Sequence, residues 1–176
     1  MIQVSVVVPT YNRLPVLRRT VACLQQQTFD PERYEIIVVD DQSTDGTWAW
    51  LQEMQAEDGR LIVLRNPKKG RGQARNAGIA VARGEIICFV DDDVWVVPEF
   101  VQAHWEAHQE HGPRAVIIGA LDASPETRPT IANLYEDARL ARVEARIRAA
   151  GDDLHPGFFR TGNVSVRAVF LRQVGG

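Results

Sequence analysis

Cysteine, methionine and histidine are all scarce in this chain of 176 residues, at two, two and four copies. Two thiols cannot build a disulfide framework. Cys23 and Cys88 both fall inside expected regular elements, so they read as reduced thiols of a cytosolic protein. No apolar run approaches the ~20 residues that a membrane-spanning helix needs, which leaves peripheral contact as the one membrane association open. The first strand is expected at Val4 with no basic-then-apolar segment before it, so no signal peptide is expected. Positive charge is in deficit too, with 20 Lys+Arg against 23 Asp+Glu and a formal net charge of −3. The domain therefore has no electrostatic reason to seek nucleic acid. Several motifs are missing as well. No G-x-x-x-x-G-K-[ST] and no G-x-S-x-G occurs, and the turn after the first strand, Pro9-Thr10-Tyr11-Asn12, carries no glycine. A P-loop, a serine nucleophile and a dinucleotide-binding fingerprint are thereby excluded.

What remains is ordinary for a soluble domain with a sizeable core, at 45% hydrophobic and 24% charged residues. Short β-rich runs are expected as strands at 4–9, 34–40, 61–65, 85–91, 115–121 and 163–167. Helical patterns lie between them near 14–27, 46–57, 72–83, 98–111 and 130–149. Alternation of this kind indicates βαβ units and a mostly parallel sheet covered on both faces. The runs are continuously apolar, as strands buried on both sides are. Asp45 is expected to cap the helix that carries Trp48 and Leu51, and Pro98 to sit in the first turn of the helix at 98–111.

In an open α/β sheet, ligands bind beyond the carboxyl ends of the strands, and the polar residues of this chain gather there. Strand one exits into Thr10-Tyr11-Asn12, strand two into Asp40-Asp41, strand three into a basic loop, and strand four into Asp91-Asp92-Asp93. Two carboxylates ~5 Å apart repel by roughly 3 kcal/mol at an effective dielectric of ~20, so three in a row at the end of a core strand need a reason. One reason is a hard divalent cation, Mg²⁺ or Mn²⁺, shared by Asp91 and Asp93. The plainer reason is that the acids cap the following turn and helix. The segment 65–78, RNPKKGRGQARNAG, brings Lys68, Lys69, Arg71 and Arg75 on a glycine-flexible loop running into a helix, which suits an anion such as a diphosphate. Its plainer reading is a solvated basic turn. His104, His108 and His111 fall on one helical stripe with Phe100, Val101 and Trp105. They are read as edge-of-core histidines rather than zinc ligands. The arginine-rich helix at 131–149 reads as a solvated, salt-bridged element, with a basic face for anionic lipid as its alternative.

Taken in order, VSVVVPTYNR (4–13), IIVVDDQSTDGT (36–47), GRGQARNAGI (70–79), FVDDDVWVVPEF (89–100) and TGNVSVRAVFLRQVGG (161–176) resemble the family 2 glycosyltransferases over nearly the whole chain. The resemblance implies the GT-A fold, a Rossmann-like three-layer α/β/α arrangement with a mostly parallel central sheet. Residues 1–121 would form the nucleotide-sugar-binding half, and 122–176 the start of the acceptor-side half. It implies inverting, metal-dependent transfer from a nucleotide-sugar, usually a UDP-sugar, to a carbohydrate or lipid-linked acceptor. It places the protein in the cytoplasm or at the inner face of the membrane. By motif position Pro9, Tyr11 and Asp41 would surround the nucleoside, with Asp40 supporting Asp41 and Arg71 or Arg75 approaching the nucleotide. Asp91 and Asp93 would be the acids of the D-x-D motif, with Asp93 the direct ligand of Mn²⁺ or Mg²⁺ and Asp92 between them in the donor site. The family's catalytic base is an acid downstream of the G-G element, so it is expected after Gly176. The competing readings are an inactive nucleotide-sugar-binding module and a sugar-phosphate nucleotidyltransferase.

Overall fold

The structure is a computed structural model, and it describes residues 1–122, 130–151 and 161–174. Six strands form one sheet: β1 (Val4–Thr10), β2 (Tyr34–Asp40), β3 (Leu61–Arg65), β4 (Ile86–Val90), β5 (Val116–Ile118) and β6 (Asn163–Arg167). Between and after them lie α1 (Leu14–Gln25), α2 (Thr47–Glu57), α3 (Arg71–Val81), α4 (Phe100–Glu110), α5 (Ile131–Ala150) and α6 (Ala168–Gln173). The strand order is β3-β2-β1-β4-β6-β5. The pairs β1–β2, β1–β4 and β2–β3 are parallel, whereas β6 runs antiparallel to β4.

The continuous apolar runs do form strands buried on both faces: every residue of β1, β2 and β4 is buried. On one face Val6, Val8, Ile36 and Val38 join Leu17, Val21 and Leu24 of α1, Leu51 of α2, and Phe100 and Val101 of α4 in a single core. Val7 and Val39 point to the other face, where α3 lies so close that a Cβ built on Gly78 would stand 2.5 Å from Val7 Cγ1. Helices thus cover both sides of the sheet. Gly78→Ala drives a methyl into a β-branched, buried neighbour that cannot swing away. We expect it to lower stability by about 1–3 kcal/mol, read as a reduced denaturation midpoint with an unchanged slope.

Most boundaries shift by one or two residues, and three differences stand out. β5 is only three residues long, because Val116 is exposed and its neighbours only half-buried, too little burial to extend an edge strand to Leu121. Helix α4 starts at Phe100, and Pro98 precedes it; the Pro98 carbonyl accepts the Thr28 N–H at 2.9 Å instead of entering the first turn. Helix α6 follows β6 directly, an element beyond those expected from the sequence. Gly46, not Asp45, is the N-cap of α2 and makes no side-chain cap bond. Asp45, one residue earlier, holds the first turn instead, its Oδ1 accepting the Thr47 N–H and hydroxyl at 3.1 and 2.6 Å, while its Oδ2 accepts the Leu14 N–H of α1 at 3.1 Å.

The chain forms two compact units, Met1–Ile117 with Thr161–Gly176, and Ile118–Arg160. In the second, α5 is largely exposed and carries the i,i+4 ion pair Glu144–Arg148, as a solvated helix should. No described helix is long and apolar enough to cross a membrane. Both cysteines are free, and burial pushes the Cys88 thiol up to about 12, which leaves it inert.

Candidate donor site

The carboxyl ends of β1, β2 and β4 open onto a pocket of about 280 Å³ that lies wholly in the first unit. Pro9, Thr10, Tyr11 and Arg13 line it from β1 and the turn after it, Asp41 from the exit of β2, Arg71, Ala74 and Arg75 from α3, and Asp91, Asp92 and Asp93 from the exit of β4. Parallel pairing explains the convergence, since the register sets Thr10 beside Asp40, and Asp40 beside Arg65, in one row.

Two strained turns aim these side chains. Among the described residues, Asn12 and Gln42 are the non-glycine residues with positive φ, at 52° and 67°, each just past a strand. Asn tolerates that region because its short side chain bonds locally. Here the Asn12 N–H donates to Ser43 Oγ at 2.9 Å, and Asn12 Oδ1 accepts the Thr44 N–H at 2.7 Å. The β1–α1 and β2–α2 turns are thereby stitched together.

The two adjacent acids at the end of β2 have different surroundings. Asp40 is fully buried and does not line the pocket; its carboxylate accepts the Ser43 N–H at 3.1 Å and shapes the turn. Asp41 lines the pocket and holds the basic loop: its oxygens accept the Gly70 N–H at 2.9 and 3.0 Å, and its Oδ1 also accepts from Asn66 Nδ2 at 2.6 Å. Gly70 makes that bond at φ 136°, a conformation open in practice only to glycine. Next to it, Lys69 donates to the Tyr11 hydroxyl at 3.1 Å and lies 4.4 Å from the centre of that ring, leaving Tyr11 41% exposed at the pocket wall. Arg71 reaches the pocket with no ion-pair partner among the described residues.

The three aspartates after β4 are held by two arginines. Arg75 donates to Asp91 at 2.8 Å. Arg13 bridges the other two, at 3.1 Å to Asp92 and 2.8 Å to Asp93. Asp92 is the buried one, 6% exposed, and also accepts the Thr10 hydroxyl at 2.8 Å, while its backbone carbonyl accepts from Thr20 of α1. Burial, with Asp93 and Asp91 nearby, raises the Asp92 carboxyl above the usual range against the pull of Thr10 and Arg13. The middle acid is therefore the structural pin, and Asp91 and Asp93 are the accessible ones.

Arg13 closes the motif VSVVVPTYNR, and its place in the chain is a local signal of its role. It occupies the N-cap of α1, where the helix dipole disfavours a cation, so its charge needs acidic partners. The histidine stripe divides. His104 is 4% and His108 0% exposed, and both bond the Ser165 hydroxyl of β6, at 2.7 and 2.9 Å. The second nitrogen of His104 meets Asn163 Oδ1 at 2.9 Å, and His111 is exposed. The pair pins α4 to β6, deeper in the fold than the core edge expected of it. Among the described residues, no group of three or more acidic, histidine or cysteine side chains is placed to cage a metal. Asp91 and Asp93 do offer partly exposed hard oxygen donors on the pocket wall, a set that fits a divalent ion completing its coordination with phosphate and water.

The chain is similar to known transferases. It is 36% identical over 119 residues to validoxylamine A glucosyltransferase of Streptomyces hygroscopicus subsp. limoneus, covering 65% of this chain and 26% of that protein. It is 39% identical over 93 residues to the GalNAc(5)-diNAcBac-PP-undecaprenol beta-1,3-glucosyltransferase of Campylobacter jejuni, covering 52% and 29%. The chain thus spans about a quarter of the length of the curated relatives it matches. Among solved structures, S. aureus TarS 1-349 in complex with UDP-GlcNAc superposes with a TM-score of 0.62 at 30% identity, over 73% of this chain and 37% of that one. The mannosyltransferase PcManGT from Pyrobaculum calidifontis, in complex with GDP-Man and Mn²⁺, superposes over 99% and 47% with a TM-score of 0.74. At 22% identity it speaks for the fold alone. The sequence model of Glycosyl transferase family 2 matches residues 5–172, and the chain belongs to that family.

Proposed function

We propose that this chain is the donor-binding domain of an inverting glycosyltransferase that takes a sugar from a nucleoside-diphosphate sugar, a UDP-sugar first among them, to a carbohydrate or lipid-linked hydroxyl. The observation that carries the reading is the pocket itself, where four carboxylates face three guanidinium groups at the exits of three parallel strands. A purely structural acid cluster needs no arginines brought from two other elements, nor an open cavity beside it. The similar S. aureus TarS 1-349, solved in complex with UDP-GlcNAc, lends support.

Pro9 and Tyr11 would flank the nucleoside, the Tyr11 ring offering an exposed aromatic face to a base. Asp41 would orient it while keeping Gly70, and so the start of α3, in place. Asp40 acts one step removed, through Ser43. Arg71 and Arg75 would meet the diphosphate with planar, bidentate donors at the first turns of α3, where the helix dipole also favours an anion. Asp93, with Asp91, would hold Mn²⁺ or Mg²⁺. Bound there, the ion supplies Lewis-acid stabilisation of charge on the departing nucleoside diphosphate. The pocket's carboxylates already hold arginine or backbone donors, so we assign the base that deprotonates the acceptor to none of them.

The test is a thermal-shift screen of UDP-, GDP- and dTDP-sugars with and without Mn²⁺, since a ligand at a hundred times its dissociation constant adds about 2.7 kcal/mol of apparent stability. One nucleotide class should raise the melting temperature by several degrees, and more with the metal. No shift with any nucleotide would refute the donor-binding assignment.

A further inference from the structure

We infer that Arg13 is a built-in competitor for the divalent ion, and that it makes metal capture conditional on the diphosphate. The inference rests on the donor-site reading above and concerns how that site is regulated.

Arg13 bridges Asp92 and Asp93, so the carboxylate assigned to the metal is already neutralised by a cation of the chain itself. A divalent ion arriving alone must displace that guanidinium and, with no third acidic or histidine ligand among the described residues, finds only Asp91 and Asp93 in exchange. Asp91 is itself held by Arg75. The metal alone therefore meets a site whose charge is largely spent.

A diphosphate reverses the balance. It brings negative oxygens to the metal and, at the same time, offers Arg13 a new bidentate partner, so the displaced guanidinium is not stranded. The geometry favours Arg13 over Arg75 as the part that moves. Its side chain is 46% exposed against 18% for Arg75. It also sits at the N-cap of α1, where the helix dipole opposes its charge. Its second anchor, Asp92, is buried and tied to Thr10, which gives the arginine a fixed pivot when Asp93 lets go.

Coupling between two ligands is reciprocal: whatever factor the diphosphate adds to metal affinity, the metal adds to diphosphate affinity. In this protein that factor should reside largely in one side chain. Removing the competitor should raise affinity for the metal alone and shrink the coupling together.

The test is Mn²⁺ binding to the whole chain, followed by the electron paramagnetic resonance signal of the free ion, alone and with saturating UDP or GDP. For Arg13→Gln we expect Mn²⁺ alone to bind about tenfold more tightly than to the native protein, in line with removing one partly exposed cation beside two carboxylates. The enhancement by nucleotide should fall by a similar factor. Arg13→Lys keeps the charge but not the fork. It should give an intermediate gain, and it serves as the readout if the glutamine variant does not fold. Unchanged metal-alone affinity in the folded variants would overturn the inference. Absence of any nucleotide binding by the native chain would instead overturn the donor-site reading, and the metal-alone comparison would still judge Arg13.

Discussion

Asp93→Ala is expected to weaken metal-dependent binding of a nucleoside diphosphate by at least about a hundredfold while leaving the fold intact. The side chain is 45% exposed, and its recorded partner is an arginine that is itself half in solvent. An exposed pair of this kind contributes little to stability, so the melting temperature should barely move. Its neighbour gives the opposite result. Asp92→Ala removes the acceptor of the buried Thr10 hydroxyl and the anchor of Arg13, and orphaning such groups costs about 1–3 kcal/mol. Two adjacent aspartates should thus separate in one experiment, one losing ligand with stability kept, the other losing stability first. Calorimetric titration of UDP with Mn²⁺ checks the first and denaturant unfolding the second. Unchanged UDP affinity in Asp93→Ala would remove the metal assignment.

Acidification from pH 6.5 to 4 should destabilise the protein by an amount on the order of 3 kcal/mol through His108 alone. Burial, then Arg167 and His104 nearby, hold the His108 imidazole down at about 4. The folded protein therefore binds that proton less readily than the unfolded chain. The stability is present above the unfolded value of 6.5, and it drains away as the pH falls towards 4. His104, also lowered by burial, adds in the same sense. Asp58, held to about 2 by Arg60, loses its contribution only below 3.8 and leaves this window alone. Asp92 acts in the opposite sense, because a raised carboxyl takes up its proton more readily in the folded state. The histidine effect is isolated by difference: His108→Gln should flatten the dependence of the unfolding free energy on pH between 6.5 and 4. An equal slope in both proteins would show that the imidazole is not the proton acceptor.

How legible all this was depends on the range of the interaction involved. Strands β1, β2 and β4 were visible because burial on both faces writes an unbroken apolar run, and the role of Asp45 at the start of α2 because its bond to Thr47 acts within two residues. The gathering of strand exits followed from parallel topology and needed no side-chain detail. What could not be read was pairing across the chain. Spacing placed His104 and His108 on one face but could not say that Ser165 lies opposite. Nor could it say which of Asp40 and Asp41 turns into the core, since both stand at the point where the strand alternation ends. For Arg13 the local signal told only that its charge needs acids; which acids could not be read, since they lie some 80 residues away.

The antiparallel course of β6 has a topological consequence. The chain leaves the sheet at β5 and returns through β6, its neighbour, and Asn163 re-enters opposite Val90, one residue before Asp91. In sequence, the second unit, Ile118–Arg160, is therefore an insert between two strands that are neighbours in one sheet. The parallel ladders of β1 with β2 and β4, which carry the aspartates, draw no hydrogen bond from that insert, so a change in its length should leave their register as it is.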